Sequence, residues 1–269
     1  MCRMSGVWCN GHMGENRPGE PPSSASWGVF TTVGCDRGRP LLWSRHHRRL
    51  AASLVALRAE DVVRLPTEHE LCELLDANGL LGPARLRVVV RWAEPSEWLV
   101  EASASPCDVV GPALKPARLT VESWPSAPPL AGHKTLARMA WDMARERAQR
   151  AGCDDALLVD EAGNLLETSI ANVLVVRDGA VRTPHAPTRC LPGVMRAWLL
   201  EHLGRADLST GACELTVDDL ASADEIWLSN AIIGVRRVGS VGDQQWQEWP
   251  HFGSLAHLGI PAPGWDDVA

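Results

Sequence analysis

The sequence predicts a two-domain α+β protein, and three observations carry that prediction. Short Val/Leu-rich segments recur along both halves and are broken by Asn-Gly, Arg-Gly and Asp-Gly turn signals, the pattern of antiparallel strands. Apolar residues at helical spacing are confined to a few stretches. Midway, "SWPSAPPLAG" at 123–132 carries three prolines and no periodicity, which marks a linker. A chain of 269 residues is long enough to bury two cores. The expected organisation is therefore an N-terminal α/β domain over 1–122, a linker over 123–132 and a C-terminal domain over 133–269.

In chain order, "GVWCNGH" (6–12) reads as a strand ending in an Asn10-Gly11 turn, and "MGENRPGEPPSSAS" (13–26) as a loop by composition. "VFTTVGCDRGRPLLW" (29–43) is β-rich on both sides of "CDRGRP" and reads as a hairpin. "RHHRRLAASLVALRAEDV" (45–62) repeats Leu50, Leu54 and Leu57 at helical spacing, and "TEHELCELLDANGL" (67–80) is a second amphipathic helix closed by Asn78-Gly79. "ARLRVVVRWA", "EWLVEASAS" and "ARLTVESW" follow as three strands. Beyond the linker a helix is expected from about His133 to Ala151. The turns "DEAGN" and "RDGA" then divide Val/Leu-rich strands. "LPGVMRAWLLEHLG" is a helix entered through Pro192-Gly193, "ADEIWLSNAIIGVRRVGSV" supplies further strands, and "QQWQEWPHFGSLAHLG" a short packed helix. No internal repeat is present.

Composition narrows the function. A net charge of −7 argues against a nucleic-acid partner, and "RHHRR" at 45–49 is too short to form a phosphate-binding face. No apolar run reaches membrane-spanning length, and "MCRMSGVWCNGHMG" lacks the apolar core of a signal peptide, so a cytoplasmic protein without a membrane partner is expected. The eight cysteines form no Cys-x-x-Cys pair, which opposes a zinc ribbon or thioredoxin-like motif and leaves them reduced and mostly buried. His46-His47 are adjacent, no His-Glu-x-x-His occurs, and no metal is expected. A Gly-x-Gly-x-x-Gly fingerprint is absent too. With twelve Trp, two Phe and no Tyr, no mechanism here can use a tyrosine.

The residues that carry chemistry lie in three places. Lys134, in "GHKTL", stands at the very start of the expected helix, where the positive end of the helix dipole does not favour a cation. A lysine whose pKa is lowered by desolvation acts as a nucleophile toward aldehydes. Glu167, in "LLETSIAN", offers a carboxylate able to hold a pyridine nitrogen protonated. In "CLPGVMR" (190–196) the N–H groups of Val194 and Met195 at a helix start suit a phosphate monoester, with Arg49 as a charged partner. Singly, each has a plainer reading as a surface lysine, an exposed strand carboxylate or an ordinary helix start. Their order along the chain singles them out.

That order, "HKTL … AGCDDALLVDEAGNLLETSIANVLVVRDGAVRTP … LPGVMR … EIWLSNAIIGVRRV", resembles the fold-type IV pyridoxal-phosphate enzymes, the class-IV aminotransferase family. The resemblance runs upstream through "RHHRRL", "GVFTT" and "VWCNGH", covering about residues 7 to 240. It implies an N-terminal α/β sandwich and a C-terminal pseudo-barrel, with pyridoxal 5'-phosphate as cofactor. Lys134 would be the Schiff-base lysine and proton shuttle, with Thr32 beside it as a catalytic position. Glu167 would pair with the pyridine nitrogen. Arg49 and the backbone at Val194 and Met195 would bind the phosphate, and Ser169 and Asn172 would line or orient the cofactor. Ala231 stands where several members offer a threonine hydroxyl, leaving Asn230, Ser229 or backbone groups to substitute. Thr31 and Arg91 would face the substrate. The family pattern also implies a homodimer acting on a small-molecule amine.

Two chemistries compete within this resemblance. One converts 4-amino-4-deoxychorismate to p-aminobenzoate and pyruvate, on the way to folate. The other is transamination of branched-chain or D-amino acids. "GVFTT", Ala171 in "IAN" and "GVMR … SNA" resemble lyase forms, and Met139 stands where branched-chain aminotransferases typically place a tyrosine. Gly34, Trp27 with Ser26, and Ala231 depart from common family forms. A catalytically degenerate dimeric scaffold is the non-enzymatic alternative, which retention of Lys134, Glu167 and Arg49 opposes.

Overall fold

The computed structural model describes residues 6–15, 27–93, 97–108, 113–124 and 131–265. Two compact units result. The first comprises Met1–Val109, Lys134–Arg138 and Pro261–Gly264, and the second Val110–His133, Met139–Ile260 and Trp265–Ala269. This corrects the expected boundary after residue 122. The strand Ala117–Ser123, read with the N-terminal domain, pairs parallel with two strands of the second unit's sheet. Ser26 and most of the proline-rich linker lie outside the described residues.

The first unit is a six-stranded antiparallel sheet in the order β2-β1-β6-β5-β3-β4. Its strands are β1 (Gly6–Cys9), β2 (His12–Glu15), β3 (Gly28–Asp36), β4 (Arg39–Pro40), β5 (Ala84–Ala93) and β6 (Glu97–Pro106). Asn10 and Gly11 both take positive φ, 44° and 92°, as a two-residue hairpin requires. That turn draws Met13–Glu15, expected as loop, into ladder with Gly6–Trp8. Period-2 alternation sends Val29, Val33 and Cys35 of β3 and Leu86, Val88 and Val90 of β5 into one core. Helices α1 (Trp43–Ala56) and α2 (Glu68–Ala77) supply Leu50, Leu54, Leu71, Leu74 and Leu75 to the same core. The other side of the sheet carries Phe30 and Thr32, with Arg87 opposite Thr32 and Arg91 opposite Gly28. α2 begins in a capping box: the Thr67 hydroxyl accepts from Glu70 N–H, while Glu70 accepts from Thr67 N–H.

The second unit is built on a mixed sheet. Its elements are β7 (Ala117–Ser123), α3 (Met139–Arg150), β8 (Asp155–Val159), β9 (Leu165–Thr168), β10 (Asn172–Arg177), β11 (Ala180–Thr183), α4 (Val194–His202), β12 (Ser209–Ala212), β13 (Glu225–Asn230), β14 (Gly234–Val241) and β15 (Gln244–Gln245). The main path runs β12-β11-β10-β13-β14-β7-β8-β9. β8 is buried at all five positions and β10 at its first five, so both read as continuous apolar runs rather than alternating ones. The tail forms a 3₁₀ turn over Phe252–Leu258, with Phe252 edge-on to Trp227.

The helix expected from His133 starts only at Met139. Residues 134–136 are instead extended along the edge of β3. Phe30 N–H donates to the Lys134 carbonyl at 2.8 Å, and Leu136 N–H to the Gly28 carbonyl at 2.9 Å. Gly28 permits this approach, because a Cβ there would lie 2.3 Å from the Val90 carbonyl oxygen and 2.8 Å from Leu136 Cδ1.

Two stability outcomes follow. Gly28→Ala lowers stability by about 1–3 kcal/mol by forcing backbone apart, read from urea denaturation; an unchanged midpoint would show that the edge pairing tolerates the methyl. Thr67→Ala costs about 1 kcal/mol by removing the cap. Burial tends to raise the Glu70 carboxyl, but hydrogen bonds from Thr67 and Arg64 outweigh it and bring the group to about 2, against an ordinary value of 4.5. A depressed carboxylate stabilises the fold above its unfolded value and loses that effect as pH falls through its folded one. The stability gap between native protein and the Thr67→Ala variant therefore narrows between those two values, by the share of the Thr67 hydroxyl's bond to the carboxylate, and a constant gap would refute that contribution.

Candidate active site

In the first unit, Lys134 is half-buried on the sheet edge, with Nζ 5.0 Å from the Phe30 ring centroid. Arg87 Cζ lies 3.9 Å from the same centroid. Phe30 is only 3% exposed, so a primary amine and a guanidinium both pack against one buried ring. Thr32 is half-buried and directly cross-strand from Arg87. Arg87 escaped the sequence reading because nothing in "ARLRVVVRWA" distinguishes it from its neighbours. Only strand register places it opposite Thr32.

The remaining first-unit positions are arranged differently from expectation. Thr31, assigned to substrate, is fully buried on the core side, where Arg49 Nη2 donates to its hydroxyl at 2.9 Å. The same hydroxyl lies 2.7 Å from His46 Nδ1. Strand alternation is the reason: Thr31 and Thr32 point to opposite faces, so only one of the pair can face a substrate. Arg91, also assigned to substrate, donates through Nε to Glu101 on β6 at 2.8 Å. Among charged side chains this one is well shielded, at 16% exposure, and acts as a cross-strand ion pair. Trp27, a noted departure, is exposed, and its carbonyl accepts from Trp92 N–H.

In the second unit, the backbone of one residue is held on both sides of its Cα. Leu191 N–H donates to Glu167 Oε2 at 3.1 Å, and the Leu191 carbonyl accepts from Asn172 Nδ2 at 2.9 Å. Gly193 caps α4, and a Cβ on it would lie 1.9 Å from Asn172 Oδ1, so only glycine lets the clamp and the helix start coexist. Burial, reinforced by the Glu167 charge, pushes the neighbouring Cys190 thiol up to about 12, which makes it inert. No side chain caps the first turn of α4, and no acidic residue lies in it. Val194 and Met195 have buried side chains there, and buried Arg196 adds a positive charge, donating to Thr183 Oγ1 at 3.1 Å and to the Pro184 carbonyl at 2.8 Å. Such a helix start favours an anion.

Ser169 is buried and donates to Asp155 Oδ1 at 2.5 Å, so it orients the loop after β9. The Asn230 side chain is engaged within the chain. Its Nδ2 donates to the Ile170 carbonyl, and its Oδ1 accepts from Ile232 N–H and Ile233 N–H, each at 2.9 Å. This side chain ties the β13–β14 turn, where Ala231 is half-buried like its neighbours, to the β9–β10 loop. A cleft of about 200 Å³ in this unit is lined by Asp155, Ile170, Ala171 and Arg236, but by none of Glu167, Asn172, Val194 or Met195.

Among the described residues, no three His, Cys, Asp or Glu gather as metal ligands, and no helix is long and apolar enough to cross a membrane. The donor chemistry within each unit is of the kind pyridoxal phosphate uses: an amine and a guanidinium in the first, an uncapped helix start and a carboxylate in the second.

Known proteins share this fold and part of the sequence. The chain is 33% identical over 114 residues to an aminodeoxychorismate lyase of Vibrio harveyi, a stretch covering 42% of each protein. The chain thus spans about two-fifths of the length of that curated relative. A branched-chain amino acid aminotransferase of Escherichia coli superimposes with a TM-score of 0.81 at 20% identity, over 97% of this chain and 95% of that one. A hypothetical aminotransferase from Mycobacterium tuberculosis in a PLP-bound form gives 0.79 at 21% identity, over 94% and 96%. The two structural likenesses show the two-unit architecture implied by the sequence. Residues 28–241, which hold both the Lys134 edge and the Leu191 clamp, match the family described as amino-transferase class IV, and the chain belongs to that family of pyridoxal-phosphate-dependent enzymes.

Proposed function

We propose that the protein is a pyridoxal-phosphate-dependent lyase that converts 4-amino-4-deoxychorismate to p-aminobenzoate and pyruvate. The observation that carries this reading is the grouping of Lys134, Phe30, Arg87 and Thr32 on one face of the first sheet. The substrate is a dicarboxylate, and Arg87 supplies a cation for one carboxylate beside the lysine. The likeness to the Vibrio harveyi lyase and the absence of any tyrosine support the same reading.

Arg49 and the N–H groups of Val194 and Met195 are the groups that would hold the phosphate. Glu167, which accepts from Leu191 N–H, would keep the ring nitrogen protonated, while Asn172 and Ser169 keep its strand and loop in place. When bound, the cofactor supplies an electron sink that acidifies the C–H bond next to the substrate amine. Lys134 takes that proton from the amine-bearing ring carbon. The ring C–O bond then breaks, the ring becomes aromatic, and the departing enolpyruvate gains a proton to give pyruvate. Thr32, cross-strand from Arg87, donates a hydrogen bond to the departing oxygen.

The protein works as a cytoplasmic homodimer in this reading. Supporting the dimer, Met139 and Met143 lie one turn apart on α3 at 76% and 48% exposure, an apolar pair suited to a second copy. The second reading is transamination of branched-chain or D-amino acids, favoured by the match in architecture to the branched-chain enzyme.

The deciding experiment is the visible spectrum of the purified protein with pyridoxal phosphate, followed by addition of aminodeoxychorismate and assay for p-aminobenzoate. Product release establishes the lyase. A cofactor band that bleaches with an amino acid and yields a keto acid, with no p-aminobenzoate, establishes the transaminase. Lys134→Ala removes both band and turnover while leaving circular dichroism unchanged, and residual full turnover would overturn the role of Lys134. Arg87→Gln raises KM for aminodeoxychorismate about tenfold or more with a smaller change in kcat, whereas Arg91→Gln leaves KM nearly unaltered. The opposite ranking would return the substrate contact to Arg91.

A further inference from the structure

Behind Arg49 lies a buried chain of three hydrogen-bonded groups. The Arg49 guanidinium has donors only, so at 2.9 Å the Thr31 hydroxyl accepts from it. The single hydroxyl proton of Thr31 is then free to be donated, and the acceptor at 2.7 Å is His46 Nδ1. Thr31 donating to Nδ1 puts the imidazole proton on Nε2, whereas a Thr31 hydroxyl accepting from both neighbours would put it on Nδ1.

The surroundings agree with a neutral ring. His46 is 1% exposed, and burial followed by the charges of Arg49 and Lys134 holds its pKa well below the usual range. Nε2, in contrast, is buried with no hydrogen-bond partner. A group that merely filled this space would be an aliphatic side chain, which leaves no polar atom unmatched. What imidazole adds is one acceptor, aimed at Thr31.

The geometry points to His46 as a positioning residue that orients the Thr31 hydroxyl and, through it, aims the Arg49 guanidinium at the cofactor phosphate. This rests on the reading of Arg49 as a phosphate-binding residue. His46 touches neither cofactor nor substrate and acts only through Thr31. The arrangement also explains why the buried member of the Thr31-Thr32 pair is a hydroxyl residue in a strand whose other core-facing members are Val29, Val33 and Cys35.

Three measurements on the full-length protein test this. The ¹⁵N spectrum of histidine-labelled protein shows His46 as the neutral Nε2–H tautomer across the neutral range; an Nδ1–H tautomer or a cationic ring overturns the inference without any variant. Second, the apoprotein is titrated with pyridoxal phosphate and, separately, with pyridoxal, which has no phosphate. His46→Leu weakens pyridoxal phosphate binding about tenfold and leaves pyridoxal capture unchanged, Thr31→Val does the same, and the double variant is no worse than either single one. Third, His46→Asn, whose amide oxygen can replace the Nδ1 acceptor, restores most of the loss. Equal weakening of both ligands, or an Asn variant no better than Leu, reduces His46 to a packing role and overturns the inference. Arg49→Gln separates the two levels: if it fails to discriminate against the phosphate, the phosphate role of Arg49 falls and this inference with it. If it discriminates and His46→Leu does not, only the role of His46 falls.

Discussion

Backbone pairing between residues 134–136 and the edge of β3 is the constraint on which the candidate site depends. The two hydrogen bonds at the Lys134 carbonyl and the Leu136 N–H take five residues of the chain out of the second unit's run and add them to the first unit's sheet. An isolated lysine on a loop would sample many rotamers and positions. A lysine on a ladder has its Cα fixed by its neighbours and only its side chain left to order. The absence of a side chain at Gly28 makes that ladder possible, because the segment runs so close to β3 and β5 that a methyl group would meet the Val90 carbonyl. The same pairing stops the following helix from beginning at His133, since residues extended against a strand cannot also be helical.

Polar groups of the site are held by second contacts rather than left to solvent. Glu167 and Asn172 hold the N–H and the carbonyl of Leu191, and Asn230 ties two turns together through three hydrogen bonds. Ser169 is anchored on Asp155, and Arg49 on Thr31. Buried polar groups need partners, and a fully connected set rigidifies what it touches. Among the candidate site residues and their partners, His46 Nε2, Asp155 Oδ2 and Ser229 Oγ are the exceptions, buried without a partner.

Charge is distributed with the same economy. Lys134 and Arg87 share the Phe30 ring, which accommodates two cations through its negative faces. Arg91, four residues along the same strand and on the same face, is instead neutralised by Glu101. One face of β5 therefore presents one cation toward the lysine and withdraws the other. At the start of α4, the missing acidic residues and the buried Arg196 leave the helix end positive, so an anion completes it.

By itself the sequence determined much of this protein. Turn residues such as Asn10-Gly11 and Arg37-Gly38, apolar periodicity in α1 and α2, and the spacing of Lys134, Glu167 and Pro192-Gly193 are local or ordered signals, legible along one dimension. These placed most strands and helices and the class of enzyme. Only the tertiary structure decided which unit owns Ala117–Ser123 and Lys134, because strand partners are chosen by hydrogen bonds across long sequence separations. The same holds for the faces. Thr31 and Thr32 are identical in composition, and Arg87 and Arg91 nearly so in context, yet register buries one threonine against His46 and ties one arginine to Glu101. A side chain's role in a sheet depends on the face it points from and on the residue across the ladder, and neither is written in its immediate neighbours.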